Sequence, residues 1–248
     1  MRETLKYAGS THVGLVRTNN EDAFYLPAGN DELPFFCVLA DGMGGHSKGE
    51  LASSLAVEYV SGKLHEIFDE KEITADMGEL LAGIVQKANV KIYLESLEQN
   101  DAAGMGTTLT ILVIEEDNLW IAHVGDCRAY VYRDKNLIQL TVDQTVAQEM
   151  LDSGSLKPEE LSGHPRRNIL TQALGIPEFL QPEIIKFERK KQDRYILCSD
   201  GLYGQVSDQE ILNAVKSSKD PQAVSELLLN TALENGGEDN ITVLVIVT

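Results

Sequence analysis

Four apolar stretches of this 248-residue chain each meet an aspartate at one end: Asp22, Asp41, Asp200 and Asp239. The run from Phe35 to Ala40 is followed by Asp41-Gly42, and the run from Tyr195 to Ser199 by Asp200-Gly201. In the other two the order reverses: Asp22 leads Ala23 to Leu26, and Asp239-Asn240 leads Ile241 to Val247. In antiparallel pairs the start of one strand lies beside the end of its neighbour. The pattern therefore places all four carboxylates on one edge of a sheet. Carboxylates at such close quarters repel one another unless cations sit among them, so the pattern points to bound metal.

The charge balance narrows the partners. With 39 acidic against 21 basic residues, the net charge is −18. That argues against non-specific nucleic-acid binding, which needs a basic footprint, and against an anionic membrane surface. A solvated acidic surface accounts for most of the excess. The stretch Met1 to Tyr7 has no apolar signal region, and the apolar run at Ile241–Val247 is far too short to span a membrane. Three cysteines are an odd number, and Cys37 and Cys198 lie inside apolar runs. They read as buried, reduced thiols, with the cytoplasm as the expected compartment and a monomer as the expected state.

Strands are expected near 5–9, 12–17, 22–26 and 35–40, followed by helices at about 48–68 and 77–97. In the second helix Leu81, Ile84, Val85, Ala88 and Ile92 follow the helical period. Strands are expected again at 107–115, 119–124, 127–133 and 137–141, then an irregular stretch at 143–180, then strands near 183–188 and 194–199. Ser207 to Glu210 reads as a capping box, and Asp220-Pro221 as a cap followed by proline in the first turn. Gly236-Gly237 stops that last helix before a final strand. Two helix pairs and many strands, with no separate sheet for either pair, predict an α+β fold. It is a four-layer α-β-β-α sandwich of mainly antiparallel sheets, forming a single domain over 1–248.

Carboxylate and carbonyl oxygens are hard ligands suited to Mg²⁺ or Mn²⁺, and no His/Cys set has zinc spacing. A glycine after an aspartate lets the backbone turn so that its carbonyl also faces an ion. A third acid site, Val124-Gly125-Asp126, ends another apolar run, and Gly104 to Thr108 opens a strand with small residues suited to close approach. Two ions ~3.5–4 Å apart can bridge a water, lower its pKa and aim it at phosphorus. A dianionic phosphate also needs a positive clamp. Arg17, just before Asn19-Asn20-Glu21-Asp22, has the planar fork for it.

Together these residues resemble the PPM, or PP2C, family of metal-dependent protein serine/threonine phosphatases. The resemblance rests on seven motifs in order: Arg17 to Asp22, Asp41 to His46, Gly106 to Thr108, Val124 to Arg128, Leu170 to Gly175, Cys198 to Leu202 and Gly236 to Val243. The Asp-Gly-Met-Gly-Gly-His loop looks like the bacterial branch, which implies phosphoprotein substrates made by a Ser/Thr kinase. By resemblance, Asp41 bridges two ions and the Gly42 carbonyl binds one of them. Asp200 and Asp239 complete the first ion, while Glu21 holds the second, directly or through water, with Asp22 in support. Asp126 joins Asp200 at a third, weaker site, Arg17 binds phosphate, and residues 143–170 form a flap beside the active site.

Two positions depart from the family pattern. Where it often carries histidine in a Thr-x-Asp-His motif, this chain has Gln144. Animal members carry a histidine assigned as general acid directly after Asp-Gly. Here Met43 stands in that place and His46 comes three residues later, a candidate either for contact with substrate or leaving group or for a structural role in the loop. Cys127 and Arg133 have the C-x5-R spacing of cysteine phosphatases, but the intervening residues read as a strand that separates the ends by ~20 Å. A dinucleotide fingerprint at Gly42 to Ser47 would set Asp41 against a pyrophosphate, with the wrong charge. The rival readings are a non-catalytic phosphoprotein-binding regulator on the same fold and a phosphomonoesterase acting on small molecules.

Overall fold

The computed structural model describes residues 5–29, 33–44, 47–69, 76–98, 104–177 and 179–248. In chain order the elements are β1 (Lys6–His12), β2 (Asp22–Tyr25), β3 (Phe35–Met43), α1 (Ser47–Asp69), α2 (Met77–Glu98), β4 (Gly106–Thr107), β5 (Leu109–Ile114), β6 (Asn118–Val124), β7 (Arg128–Arg133) and β8 (Asn136–Gln139). Then come α3 (Val146–Asp152), α4 (Pro158–Leu161), β9 (Glu183–Glu188), β10 (Arg194–Cys198), α5 (Asp200–Tyr203), α6 (Asp208–Ser217), α7 (Pro221–Glu234) and β11 (Ile241–Val247).

Strand alternation builds the layers. One sheet runs β1-β11-β10-β7-β8 and the other β2-β3-β5-β6-β9, with β4 attached to β3. The pairings are antiparallel. Successive side chains on a strand point to opposite faces. On β3, Phe35, Cys37 and Leu39 therefore enter the core between the sheets, where they join Tyr195, Leu197, Leu244 and Ile246. Phe36, Val38 and Ala40 face the other way and pack on α1 and α2 through Ala52, Val60, Leu81 and Ile92. Ile196, Cys198, Val243 and Val245 do the same for the opposite sheet, under α6 and α7. Burying each such aliphatic side chain stabilises the fold by roughly 1.5–3 kcal/mol. The α-β-β-α order is the one expected.

The helix starts read from sequence are present. Ser207 Oγ accepts from Glu210 N while Glu210 Oε2 accepts from Ser207 N, and Asp220 Oδ1 accepts from Gln222 N ahead of Pro221. All three cysteines are buried and free. Among the described residues no helix is long and apolar enough to cross a membrane.

Three expectations change. The strand predicted at 12–17 does not form. β1 runs on through Gly9 to His12, and the chain then turns at Gly14, with φ +84°. Leu15 and Val16, the apolar pair inside that span, are two-thirds exposed. Their apolar character faces solvent and finds no sheet to join. The strand expected at 107–115 is interrupted at Thr108, whose backbone and hydroxyl turn to Asp41 instead.

The third change concerns the four aspartates. They do not share one sheet edge. Asp22 and Asp41 are directly opposed on β2 and β3 in one sheet. Asp200 and Asp239 flank the paired strands β10 and β11 in the other. The antiparallel argument holds within each pair, and packing of the two sheets brings the pairs together. Asp126 lies in the turn between β6 and β7, where the chain crosses from one sheet to the other.

Candidate metal centre

A cleft of about 570 Å³ opens at this end of the sandwich, lined by Arg17, Glu21, Asp41, Gly42, Asp126, Asp200 and Asp239 among others. Seven of the nine residues singled out in the sequence thus meet in one place. Asp22 does not line the cleft. It is partly buried, and its Oδ2 accepts from the hydroxyls of Ser199 and Thr242, both at 2.7 Å. His46 lies outside the described residues.

Local geometry explains the two Asp-Gly steps, and the reason differs from the one sequence suggests. Neither Gly42 nor Gly201 has a positive φ. What each needs is room. A Cβ on Gly42 would sit 2.0 Å from the carbonyl oxygen of Gly49, and one on Gly201 would sit 2.0 Å from that of Asn240. Any side chain there would push apart the segments that hold the acids. Gly42 N also donates to the Glu21 carbonyl at 3.0 Å, which ties the second acidic segment to Asp41.

Two further residues, not singled out by the sequence reading, organise the cleft. Asn240 Oδ1 accepts from Glu21 N at 2.8 Å, while its Nδ2 donates to the carbonyls of Val13 and Asn19. It thereby fastens the Arg17–Glu21 loop to Asp239. Thr108 Oγ1 accepts from Asp41 N at 2.8 Å, Thr108 N donates to Asp41 O at 2.8 Å, and the same hydroxyl lies 3.3 Å from Cys127 Sγ. Both residues lie within motifs that drew attention for their neighbours. Their roles depend on partners far along the chain, so no local signal marks them.

The electrostatics are those of a cluster short of positive charge. Burial, reinforced by neighbouring carboxylates, holds Asp41 well above the ordinary carboxylate range. Burial likewise raises Asp22 to about 7, Asp126 to about 8 and Asp200 to about 6. The compensating cation on the cleft wall is Arg17, whose Nη2 donates to Asp239 Oδ2 at 2.7 Å. That bond raises the guanidinium pKa further. Asp22 Oδ1 is buried with no hydrogen-bond partner among the described residues.

This donor set fits divalent cations. Every candidate ligand is an oxygen, the acids carry more negative charge than one half-exposed arginine can balance, and a buried carboxylate oxygen is left over. Among the described residues no group of three or more His, Cys, Asp or Glu side chains is by itself arranged to hold a metal ion. An ion bound here would draw part of its coordination from water and backbone carbonyls, as suits ions that must also meet substrate.

Comparison with known proteins agrees. A family model described as Protein phosphatase 2C matches residues 9–239. The serine/threonine protein phosphatase PstP of Mycobacterium tuberculosis is 39% identical over 241 residues, which is 97% of this chain and 44% of PstP. The chain thus spans less than half the length of that relative. The serine/threonine phosphatase stp of Listeria monocytogenes is 35% identical over 95% of this chain and 93% of its own. A crystal structure of the M. tuberculosis phosphatase PstP/Ppp superposes with a TM-score of 0.89 at 38% identity, covering 99% of both chains. The PstP catalytic domain in complex with two manganese ions gives 0.84 at 38% identity, covering 98% of both. The fold, the acid-lined cleft and these likenesses lead to one conclusion: the chain belongs to the protein phosphatase 2C family of metal-dependent serine/threonine protein phosphatases.

Proposed function

We propose that this protein hydrolyses phosphoserine and phosphothreonine in proteins, using two Mn²⁺ or Mg²⁺ ions in the acidic cleft. The observation that carries the reading is the meeting of Asp41, Asp126, Asp200 and Asp239, drawn from both sheets, in one cleft beside Arg17. Asp41, Asp200 and Asp239 would hold one ion. Asp41, the Gly42 carbonyl and Glu21 would hold the other, with Asp22 supporting from behind and Asp126 joining Asp200 at a third. When bound, such ions neutralise phosphate charge and activate water for in-line attack.

The chain's own residues supply the rest. Arg17 presents five N–H donors in a planar fork. Its bond to Asp239 engages Nη2, and the remaining donors serve the phosphate oxygens. The hydroxyls of Ser199 and Thr242 hold Asp22 in place. His46 serves as a contact for substrate or leaving group. Residues 143–170, with α3 and α4, act as the flap of a single domain over 1–248, and the segment from Asn168 to Ala173, where the flap ends, lines the cleft. The substrates are phosphoproteins made by a bacterial-type Ser/Thr kinase, and the protein works as a cytoplasmic monomer. The retained acids and Arg17 argue against a non-catalytic regulator.

Side-by-side assays on phosphoserine, phosphothreonine and phosphotyrosine peptides with Mn²⁺ test this, with p-nitrophenyl phosphate as the small-molecule control. Turnover of the first two peptides, abolished by EDTA, is expected. Activity surviving exhaustive chelation would overturn the metal reading. Turnover confined to the small ester would overturn the protein-substrate reading.

A further inference from the structure

Gln144 stands where the family pattern often has histidine, and it makes four hydrogen bonds next to the turn that carries Asp126. Its Oε1 accepts from Gly125 N at 2.8 Å, and its Nε2 donates to the His123 carbonyl at 3.4 Å. Its backbone N donates to the Gly125 carbonyl at 2.8 Å, and its own carbonyl accepts from Thr171 N at 2.8 Å. Three of these bonds grip residues 123–125, and the fourth reaches the cleft wall, which includes Thr171.

The gripped turn is the one that delivers Asp126. Gly125 adopts φ +105°, a region in which glycine is free to move elsewhere. A Cβ there would lie 2.5 Å from Thr108 Cγ2, so no side chain can replace the missing restraint. The far side of the turn is secured separately. Tyr203 Oη donates to the Asp126 carbonyl at 3.0 Å, and Arg128 forks onto Asp143 while lying over the Tyr203 ring. The near side is held by the β5–β6 ladder as far as Val124, opposite Leu109, and at Gly125 by Gln144.

We propose that Gln144 is a positioning residue whose carboxamide clips the β6–β7 turn in the one conformation that directs Asp126 into the cleft. The inference rests on the metal-centre reading. It assigns Gln144 a specific share of that centre: the weak cation site that Asp126 would build with Asp200, and not the two ions assigned to Asp41, Gly42, Glu21, Asp200 and Asp239.

Isothermal titration of the full chain with Mn²⁺ alone, without substrate, tests it. Gln144→Met keeps the side-chain length and removes both carboxamide bonds. It should weaken the weak Mn²⁺ step about 10- to 100-fold, the usual cost of losing a residue that orients a ligand, and leave the tight steps unchanged. Gln144→His restores an acceptor for Gly125 N and should recover most of the weak step; it also serves if the methionine variant fails to fold. Isotherms for both variants that superpose on the wild type would overturn the inference alone. A wild type that binds no Mn²⁺ would overturn the metal-centre reading and this inference with it.

Discussion

Strand β10 is bracketed by two aspartates, and the two ends of that strand treat them in opposite ways. At one end Asp193 is almost fully buried and fully matched. Arg133 forks onto it with bonds of 2.8 and 2.5 Å, and Tyr195 Oη and Lys190 N add two more. At the other end Asp200 is only partly buried, it shares the cleft with Asp41, Asp126 and Asp239, and the arginine that offsets its charge, Arg17, is half-exposed and bonded to Asp239. The same residue type flanks one strand at both ends. One aspartate comes with its counter-charge, and the other leaves a deficit that cations can fill. The contrast separates an acid that holds the fold together from acids arranged for chemistry.

The contrast breaks if the two ends respond alike to substitution. The largest effect should be on activity. Asp41→Asn is expected to lower kcat at least about a thousandfold, as loss of direct electrostatic help to a phosphoryl transition state does. Its melting temperature in chelator should be unchanged or higher, because one crowded charge is gone. A variant with near-normal kcat would remove Asp41 from the centre of the site. Next in size is Asp193→Asn, which leaves Arg133 half-matched in a buried position. Denaturant titration should show a loss of about 3 kcal/mol, with kcat retained on the folded fraction. Equal stability of variant and wild type would mean that the far end is no structural clamp.

The smallest effect should appear with pH. Burial raises Asp22 to about 7 and Asp126 to about 8, whereas unfolded aspartates titrate near about 4. Between those values the folded state binds more protons than the unfolded one, so stability falls as pH rises. Buried His123, lowered to about 4 by desolvation, works the other way, but only below about pH 6.5, where the unfolded imidazole takes up a proton. The melting temperature in EDTA should therefore drop between pH 7 and 8.5, and saturating Mn²⁺ should reverse the drop. A metal-free melting temperature that rises over that range would contradict the picture of an uncompensated acid cluster.

Much of this was legible from residue order. Layered helices and strands, the capping box at Ser207 and the cap at Asp220 depend on contacts within a few residues, which pattern reading captures. The acids at strand ends were visible for the same reason. Leu15 and Val16 misled, since two apolar residues in sequence suggest a strand whether or not a partner strand exists; here the turn at Gly14 leaves them in solvent. Asn240, Thr108 and Gln144 were unreadable as organisers because their partners lie far away along the chain, as with Asn240 and Glu21.

By itself, the sequence determined that acids would terminate strands and that their like charges would call for metal, because both follow from local alternation and from Coulomb repulsion. Only the tertiary structure decided that they arrive as two pairs on two sheets. It also decided that Asp22 is tied from behind by Ser199 and Thr242, and that Gly42 and Gly201 are needed for room and not for their turning freedom. The physical reason is that close packing of two sheets sets distances between residues some two hundred positions apart, such as Asp22 and Thr242. No local periodicity encodes such a distance.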